Sequence, residues 1–219
     1  MVTYIRFEKV CKSFKKEDVL VDVDLALEKG KIYGFVGRNG SGKTVIFRML
    51  TGLIRPSSGS IFLEGKNISR VNKFPERMGV LIENPGFIPH YSGIKNLKIL
   101  NSMSKEKVSI GKVRQAMEQV GLDPGSSKSV KNYSLGMRQK LGIAQAIMNE
   151  PELLILDEPM NGLDEESIKR MRSFFLKLKE EKQVTILLAS HNKEDLEVLC
   201  DELFELHDKK VRKRGEVKA

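Results

Sequence analysis

The stretch Lys31-Ile-Tyr-Gly-Phe-Val-Gly37-Arg-Asn-Gly40-Ser-Gly42-Lys43-Thr44 joins a buried-strand pattern to a glycine-rich turn and a helix start. It fits G-x-x-x-x-G-K-[ST] without a gap. Gly37, Gly40 and Gly42 let the backbone curl until successive N–H groups converge on phosphates, where a Cβ would crowd them. A helix starting near Lys43 adds the positive end of its dipole. Lys43 offers a point charge to the β/γ-phosphates, and the Thr44 hydroxyl is placed to ligate Mg²⁺. This is a P-loop, a phosphate-binding segment that also takes in Arg38, Asn39, Ser41 and Val45. The plainer alternative, a chance glycine-rich turn before a helix, makes no prediction about the rest of the chain.

The P-loop predicts a cation, and the residues that would face it lie further on. Glu152-Leu-Leu-Ile-Leu156 is apolar without alternation, as a strand covered on both faces is, and it ends in Asp157-Glu158. Two carboxylates at the end of a buried strand are costly unless they face a positive charge. Asp157 is placed to hold Mg²⁺ through its water shell, and Glu158 to act as general base on an attacking water. A second buried strand, Thr185 to Ala189, delivers Ser190-His191 to the same edge, where His191 would touch phosphate rather than serve as an ordinary exposed histidine. A third, Met78-Gly-Val-Leu-Ile82, ends on Glu83-Asn-Pro85-Gly86. Ligands bind at the carboxyl edge of parallel sheets, so Glu83 is a candidate site residue as well as a candidate solvated loop carboxylate.

The remaining segments frame these strands. Thr3 to Val10 reads as a strand, and Val19, Val21, Val23, Leu25 and Leu27 alternate with mostly more polar neighbours as in a half-buried antiparallel partner. Between them Lys12-Ser-Phe14 sets an aromatic in a polar connection, as a lid on the local core or a ligand contact. Val45 to Thr51 reads as helix with Gly52 as its cap, and Arg55-Pro-Ser-Ser-Gly59 turns into a strand from Ser60 to Leu63. From Gly93 to Met148 helical spacing takes over: Val113, Ala116, Met117 and Val120 recur at i, i+3, i+4, i+7, and Met137, Leu141, Ala144 and Met148 mark another face. Before that second face stands Tyr133-Ser134-Leu135-Gly136, with Ser134 a candidate N-cap. Asn161-Gly-Leu-Asp164 breaks the chain before a stripe of Ile168, Met171, Phe175 and Leu178. A last helix through Leu196, Leu199 and Cys200 leads to a hairpin around Leu203 and Val211.

Composition bounds the class. A chain of 219 residues with 40% hydrophobic content is an ordinary globular protein. Its 38 Lys+Arg against 29 Asp+Glu give +9, which favours nucleotides, nucleic acid or an acidic membrane surface, or is a solubilising surface. The run Lys209-Lys-Val-Arg-Lys-Arg214 reads as a membrane or nucleic-acid patch or as a solvated strand edge. Cys11 and Cys200 lack any C-x-x-C spacing, so both are expected in the core. No stretch approaches the roughly eighteen apolar residues of a membrane span and the Met1 region lacks a signal-peptide core, which predicts a cytosolic chain whose membrane role needs a partner.

With these residues laid out, the chain resembles the nucleotide-binding subunit of an ATP-binding-cassette (ABC) transporter over nearly its whole length. Six motifs occur in the family's order: Phe14 as adenine-stacking aromatic, Gly37 to Thr44 as P-loop, Tyr133-Ser-Leu-Gly-Met-Arg138 as signature segment, Leu153 to Glu158 as the Mg²⁺ strand with catalytic glutamate, Asn161 to Asp164 as D-loop, and Ser190-His191 as switch histidine. The resemblance implies an α/β fold with a RecA-like P-loop NTPase core, an antiparallel β-subdomain and an inserted helical subdomain. It divides a single ABC ATPase domain, 1–219, into 1–92 plus 150–219 for the β-subdomain and core, and 93–149 for the helical part.

It also implies ATP and Mg²⁺ as ligands, with Lys43, Glu158 and His191 catalytic and Thr44, Asp157 and Glu83 around the metal. Two cassettes would pair head to tail, homo- or heterodimerically, so that Ser134, Leu135 and Gly136 meet the nucleotide held by the other P-loop. The helical part would couple hydrolysis to an integral membrane permease through the groove around Glu83 to Tyr91, peripherally at the inner face of the cell membrane. The chain departs from the family pattern in its Ser-Leu-Gly-Met-Arg signature, in Val45 where a second hydroxyl residue is frequent, and in Glu83 at the Q-loop glutamine. Leu-Ile-Glu-Asn-Pro around Glu83 is similar to the cassettes of bacitracin- and lantibiotic-type exporters and immunity systems, which implies export of a peptide antibiotic or similar amphipathic compound. The rival, a soluble cassette acting on nucleic acid or the ribosome, suits the +9 charge. Such relatives carry a long coiled-coil insertion or two cassettes, so no nucleic-acid partner is expected. A switch without turnover leaves Glu158 unexplained, and a small-molecule kinase leaves the signature segment unexplained.

Overall fold

The computed structural model describes residues 3–15, 17–70, 75–83 and 86–216. Met1, and Asn84 and Pro85 of the loop on which the exporter resemblance draws, lie outside them. Among the described residues, ten strands and six α-helices follow in the order β1 (Thr3–Phe14), β2 (Glu17–Glu28), β3 (Ile32–Val36), α1 (Lys43–Leu50), β4 (Ser58–Leu63), β5 (Lys66–Asn67), β6 (Met78–Leu81), α2 (Gly93–Met103), α3 (Ile110–Gln119), α4 (Leu135–Ile147), β7 (Leu153–Asp157), α5 (Glu165–Lys182), β8 (Thr185–Ala189), α6 (Lys193–Leu199), β9 (Glu202–His207) and β10 (Lys210–Glu216). A short 3-10 turn, Val130–Asn132, precedes α4.

The strands form two sheets. One is four-stranded and antiparallel, ordered β2-β1-β4-β5; the other runs β10-β9-β3-β8-β7-β6. In the second sheet β9, β3, β8, β7 and β6 are parallel and β10 closes the edge antiparallel to β9. Because side chains alternate across a strand, the unbroken apolar runs split between two cores. Leu154, Leu156, Ile186 and Leu188 face the helical layer with Leu141, Met171, Phe175 and Leu196. Leu153, Ile155, Leu187 and Ala189 face α1 and the antiparallel sheet with Phe35, Phe47, Ile5 and Leu27. Both faces of the parallel sheet are thus buried, and its carboxyl edge is left for ligands.

Two expectations are corrected. Lys12-Ser-Phe14 is not a polar connection: it is the end of β1, where Phe14 pairs with Glu17 of β2. The antiparallel ladder to β2 continues past Val10 and satisfies backbone groups that composition alone assigned to a loop. Cys11 is only partly buried, with its Sγ near the Asp22 carboxylate, so Cys200 alone of the two cysteines is in the core. The basic run near the C-terminus lies on β10, an edge strand, where charge discourages pairing with further strands.

Candidate functional site

Strand register gathers the site. Phe35 of β3 and Asp157 of β7 both pair with Ala189 of β8, and Leu81 of β6 pairs with Leu156. The four adjacent strands therefore end level, and the segments leaving them, 37–42, Asp157-Glu158, Ser190-His191 and Ile82-Glu83, meet at one edge. Residues from each of these segments line a cleft of about 570 Å³.

On the P-loop side Gly42 is the N-cap of α1 with φ 105°, in the left-handed region that favours glycine. Lys43 is 7% exposed, and its Nζ donates to the carbonyls of Gly37 at 2.7 Å and Arg38 at 3.2 Å. Burial pushes its ammonium pKa down, opposed by the nearby Glu158 and Asp157 carboxylates. Thr44 Oγ1 donates to Asp157 Oδ2 at 2.6 Å, tying the P-loop helix to the end of β7.

Glu158 follows with φ 51°, and Glu83 has φ 59°; both acidic residues sit in left-handed backbone that costs non-glycine residues of order 1 kcal/mol or more. Gln139 Nε2 donates to the Glu158 carbonyl at 2.9 Å, and Glu158 N–H donates to the Ala189 carbonyl at 2.9 Å, so the residue is pinned from α4 and β8. Burial raises the Glu158 carboxyl pKa, opposed first by His191. His191 Nε2 is 3.3 Å from Glu158 Oε1, within ion-pairing distance, and the His191 N–H donates to Oε2 at 3.4 Å.

Two buried side-chain oxygens of the cleft, Ser41 Oγ and Glu158 Oε1, have no aligned hydrogen-bond partner among the described residues. Buried polar atoms in native proteins are normally satisfied, so these two are waiting for something. A hydroxyl in a loop of converging N–H groups suits a phosphate oxygen, and a buried carboxylate suits a water or a cation. The hydroxyl of Thr44 and the carboxylate of Asp157 are hard oxygen donors of the kind that suit Mg²⁺. The cleft thus fits a magnesium-bound nucleotide.

The expected site residues divide into two groups. Asn39 through Val45, Glu83, Leu135, Asp157, Glu158 and His191 line the cleft. Phe14, Gly37, Arg38, Ser134 and Gly136 do not, although the carbonyls of Gly37 and Arg38 hold Lys43. Phe14 is 43% exposed at the end of β1, with Lys12 Nζ 4.7 Å from its ring centroid. Ser134 caps α4, its Oγ accepting from Met137 N–H at 3.1 Å. Gly136 lies backbone to backbone with the loop after β7: a Cβ there would be 2.5 Å from the Gly162 carbonyl oxygen.

Sequence reasoning did not single out Gln139 or Arg48 as site residues, and named Asn161 only as the start of the D-loop. Gln139 and Asn161 line the cleft, and Arg48 Nη2 is 2.5 Å from Glu83 Oε1. The available signal was spacing, since Gln139 stands four residues after Leu135 and Arg48 four after Thr44, each on its neighbour's helix face.

The segment bearing His191 is anchored from behind. Arg172 of α5 binds Asp195 of α6 through Nε at 2.8 Å and Nη2 at 2.6 Å, and Ser190 Oγ is 3.3 Å from the other Asp195 oxygen. Asp195 is fully buried. Removing it leaves a buried guanidinium with only the exposed Glu194, so Asp195→Ala is expected to cost about 3–5 kcal/mol in urea unfolding. A loss under about 1 kcal/mol would show that the pair does not hold this segment.

The profile of the family described as "ABC transporter" matches residues 20–161. The chain belongs to that family, as an ATP-hydrolysing P-loop cassette. Among curated proteins it is 42% identical to the bacitracin transport ATP-binding protein BcrA of Enterococcus faecalis, over 93% of this chain and 66% of that protein. It is 41% identical to the ABC transporter ATP-binding protein YybJ of Bacillus subtilis (strain 168), over 90% of this chain and 89% of YybJ. It is 37% identical to the lantibiotic transport ATP-binding protein SrtF of Streptococcus pyogenes, over 94% and 88% of the two chains. Among solved structures, the dimeric post-hydrolysis state of the ATP-binding cassette MJ0796 bound to ADP and Pi superposes with a TM-score of 0.87 at 20% identity, covering 98% of this chain and 99% of that one. The fold is therefore the ABC ATPase fold, a RecA-like core with an antiparallel sheet and a helical insertion.

Proposed function

We propose that this chain is the subunit that powers a membrane permease by ATP hydrolysis, exporting peptide antibiotics or similar amphipathic compounds. The observation that carries the hydrolytic part is the Thr44–Asp157 hydrogen bond, which joins phosphate-binding helix and acidic strand end with Glu158 beside them. Lys43 and the P-loop N–H groups bind the β/γ-phosphates, and Thr44 and Asp157 hold Mg²⁺. The metal, when bound, supplies neutralisation of the charge developing on the phosphate oxygens. Glu158 takes the proton of the attacking water, and His191, within ion-pairing distance of it, orients that carboxylate toward the γ-phosphate.

The working unit is a pair of cassettes. Ser134 and Gly136 lie at the start of α4 and do not line this chain's own cleft, which is the arrangement expected if they serve a nucleotide bound by another cassette. Phe14, exposed at the end of β1, stacks on adenine once Lys12 yields its face. Residues 93–149 act as the helical subdomain that engages the permease, with 1–92 and 150–219 as the catalytic body. No helix among the described residues is long and apolar enough to cross a membrane, so attachment at the inner face of the cell membrane is through that permease. Glu83 in place of glutamine, and the names of BcrA and SrtF, support the substrate class.

Expressed with its partner permease in an antibiotic-sensitive bacterial host, the wild-type chain is expected to raise resistance to bacitracin or a lantibiotic. The Glu158→Gln variant should not. Equal sensitivity of both strains to every such peptide would overturn the substrate assignment.

A further inference from the structure

Glu83 brings a negative charge to the rim of a cleft that holds two other carboxylates, yet its own carboxylate is not bare. Arg48 Nη2 stands 2.5 Å from Glu83 Oε1. Arg48 follows Thr44 by four residues on α1, so both side chains leave the same face of the helix one turn apart. The helix that seats the phosphates with its first turn therefore grips the loop after β6 with its second. The two side chains are 38% and 61% exposed, which makes this a weak pair in terms of folding stability. Weakness is what an exchangeable contact needs, because a divalent cation can compete for the carboxylate at small cost. A glutamine at position 83 would carry no charge for the guanidinium to cancel.

We propose that Arg48 is a positioning residue that neutralises Glu83 and holds it aside from the metal, so that the carboxylate reaches the cation only when the ion pair opens. The proposal rests on the reading of the cleft as a magnesium–nucleotide site. It assigns Arg48 a role through Glu83 and none in contact with nucleotide.

The test is Mn²⁺ affinity, measured by electron paramagnetic resonance on the full chain saturated with a non-hydrolysable ATP analogue. Arg48→Met is expected to tighten Mn²⁺ binding by about 3- to 10-fold, the scale of one partly screened charge near a divalent ion. Arg48→Lys should keep wild-type affinity. In the Glu83→Gln background Arg48→Met should tighten binding clearly less, by the lost repulsion of the guanidinium alone, since the carboxylate it would release is gone. Unchanged affinity in Arg48→Met, or the same change with Gln at position 83, would overturn the role of Arg48. Asp157→Asn separates this from failure of the site itself: if that variant loses Mn²⁺ while Arg48→Met matches wild type, only the proposal for Arg48 fails. If Asp157→Asn binds Mn²⁺ normally, the reading of the metal site falls.

Discussion

Glu158→Gln is expected to lower ATP turnover by about 10²- to 10⁴-fold while retaining nucleotide, the range of a lost general base. The amide keeps the shape of the carboxylate, and the groups that fix the residue act on its backbone: Gln139 Nε2 on the carbonyl and the Ala189 carbonyl on the N–H. Nothing in that frame depends on the side-chain charge. The substitution also removes a half-buried carboxylate whose ionised form burial disfavours, so the fold should not suffer. What it removes is the negative charge at Oε1, a carboxylate oxygen buried in the cleft without an aligned donor. Bound ATP is then cleaved far more slowly, and a pair of cassettes closed on it should persist as a dimer on size exclusion. Wild-type hydrolysis in the variant would rule Glu158 out as base.

Lys43→Ala should weaken ATP binding by about 100-fold or more. Its ammonium is the only buried lysine charge among the described residues, and it lies inside the glycine-rich loop against the Gly37 carbonyl. Charge-assisted hydrogen bonds contribute about 1.5–3 kcal/mol each, and two to the β/γ-phosphates account for that loss. Without nucleotide the ammonium is held by the Gly37 and Arg38 carbonyls, so alanine also strips those acceptors of a donor. Lys43→Met, which keeps the buried stem, distinguishes a collapsed loop from a missing charge. Both variants should bind poorly by calorimetry, and Lys43→Met, which fills the stem's place, should melt closer to the wild type than Lys43→Ala. Normal affinity in either would contradict the phosphate role.

The parts of this molecule that rest on local pattern were legible in the sequence. The glycine spacing of the P-loop, the uninterrupted apolar runs of β7 and β8 and the serine before α4 each leave a signature within a few residues, because backbone geometry and strand burial are local constraints. Convergence of the acidic, histidine and lysine residues followed from the strands being parallel. Pairings made by tertiary packing were not legible. Arg48 and Glu83 are separated by 35 positions, and only the level ends of β3 and β6 bring α1 beside that loop. Arg172 and Asp195 stand on two helices whose apolar stripes say nothing about the charged residues at their margins. Cys11 and Phe14 were misplaced for a related reason, since a strand that continues by pairing rather than by composition looks like a connection.

The absence of a side chain at Gly136 has a mechanical result. Peptide groups of α4 and of the Asn161–Asp164 segment abut with no deformable atoms between them, and Gln139, one turn along, is fastened to the peptide of Glu158. A tilt of that helix cannot be absorbed by a rotamer change at the joint. It is passed on to the Glu158 peptide at the end of β7, so the start of that helix and the acidic strand end shift together.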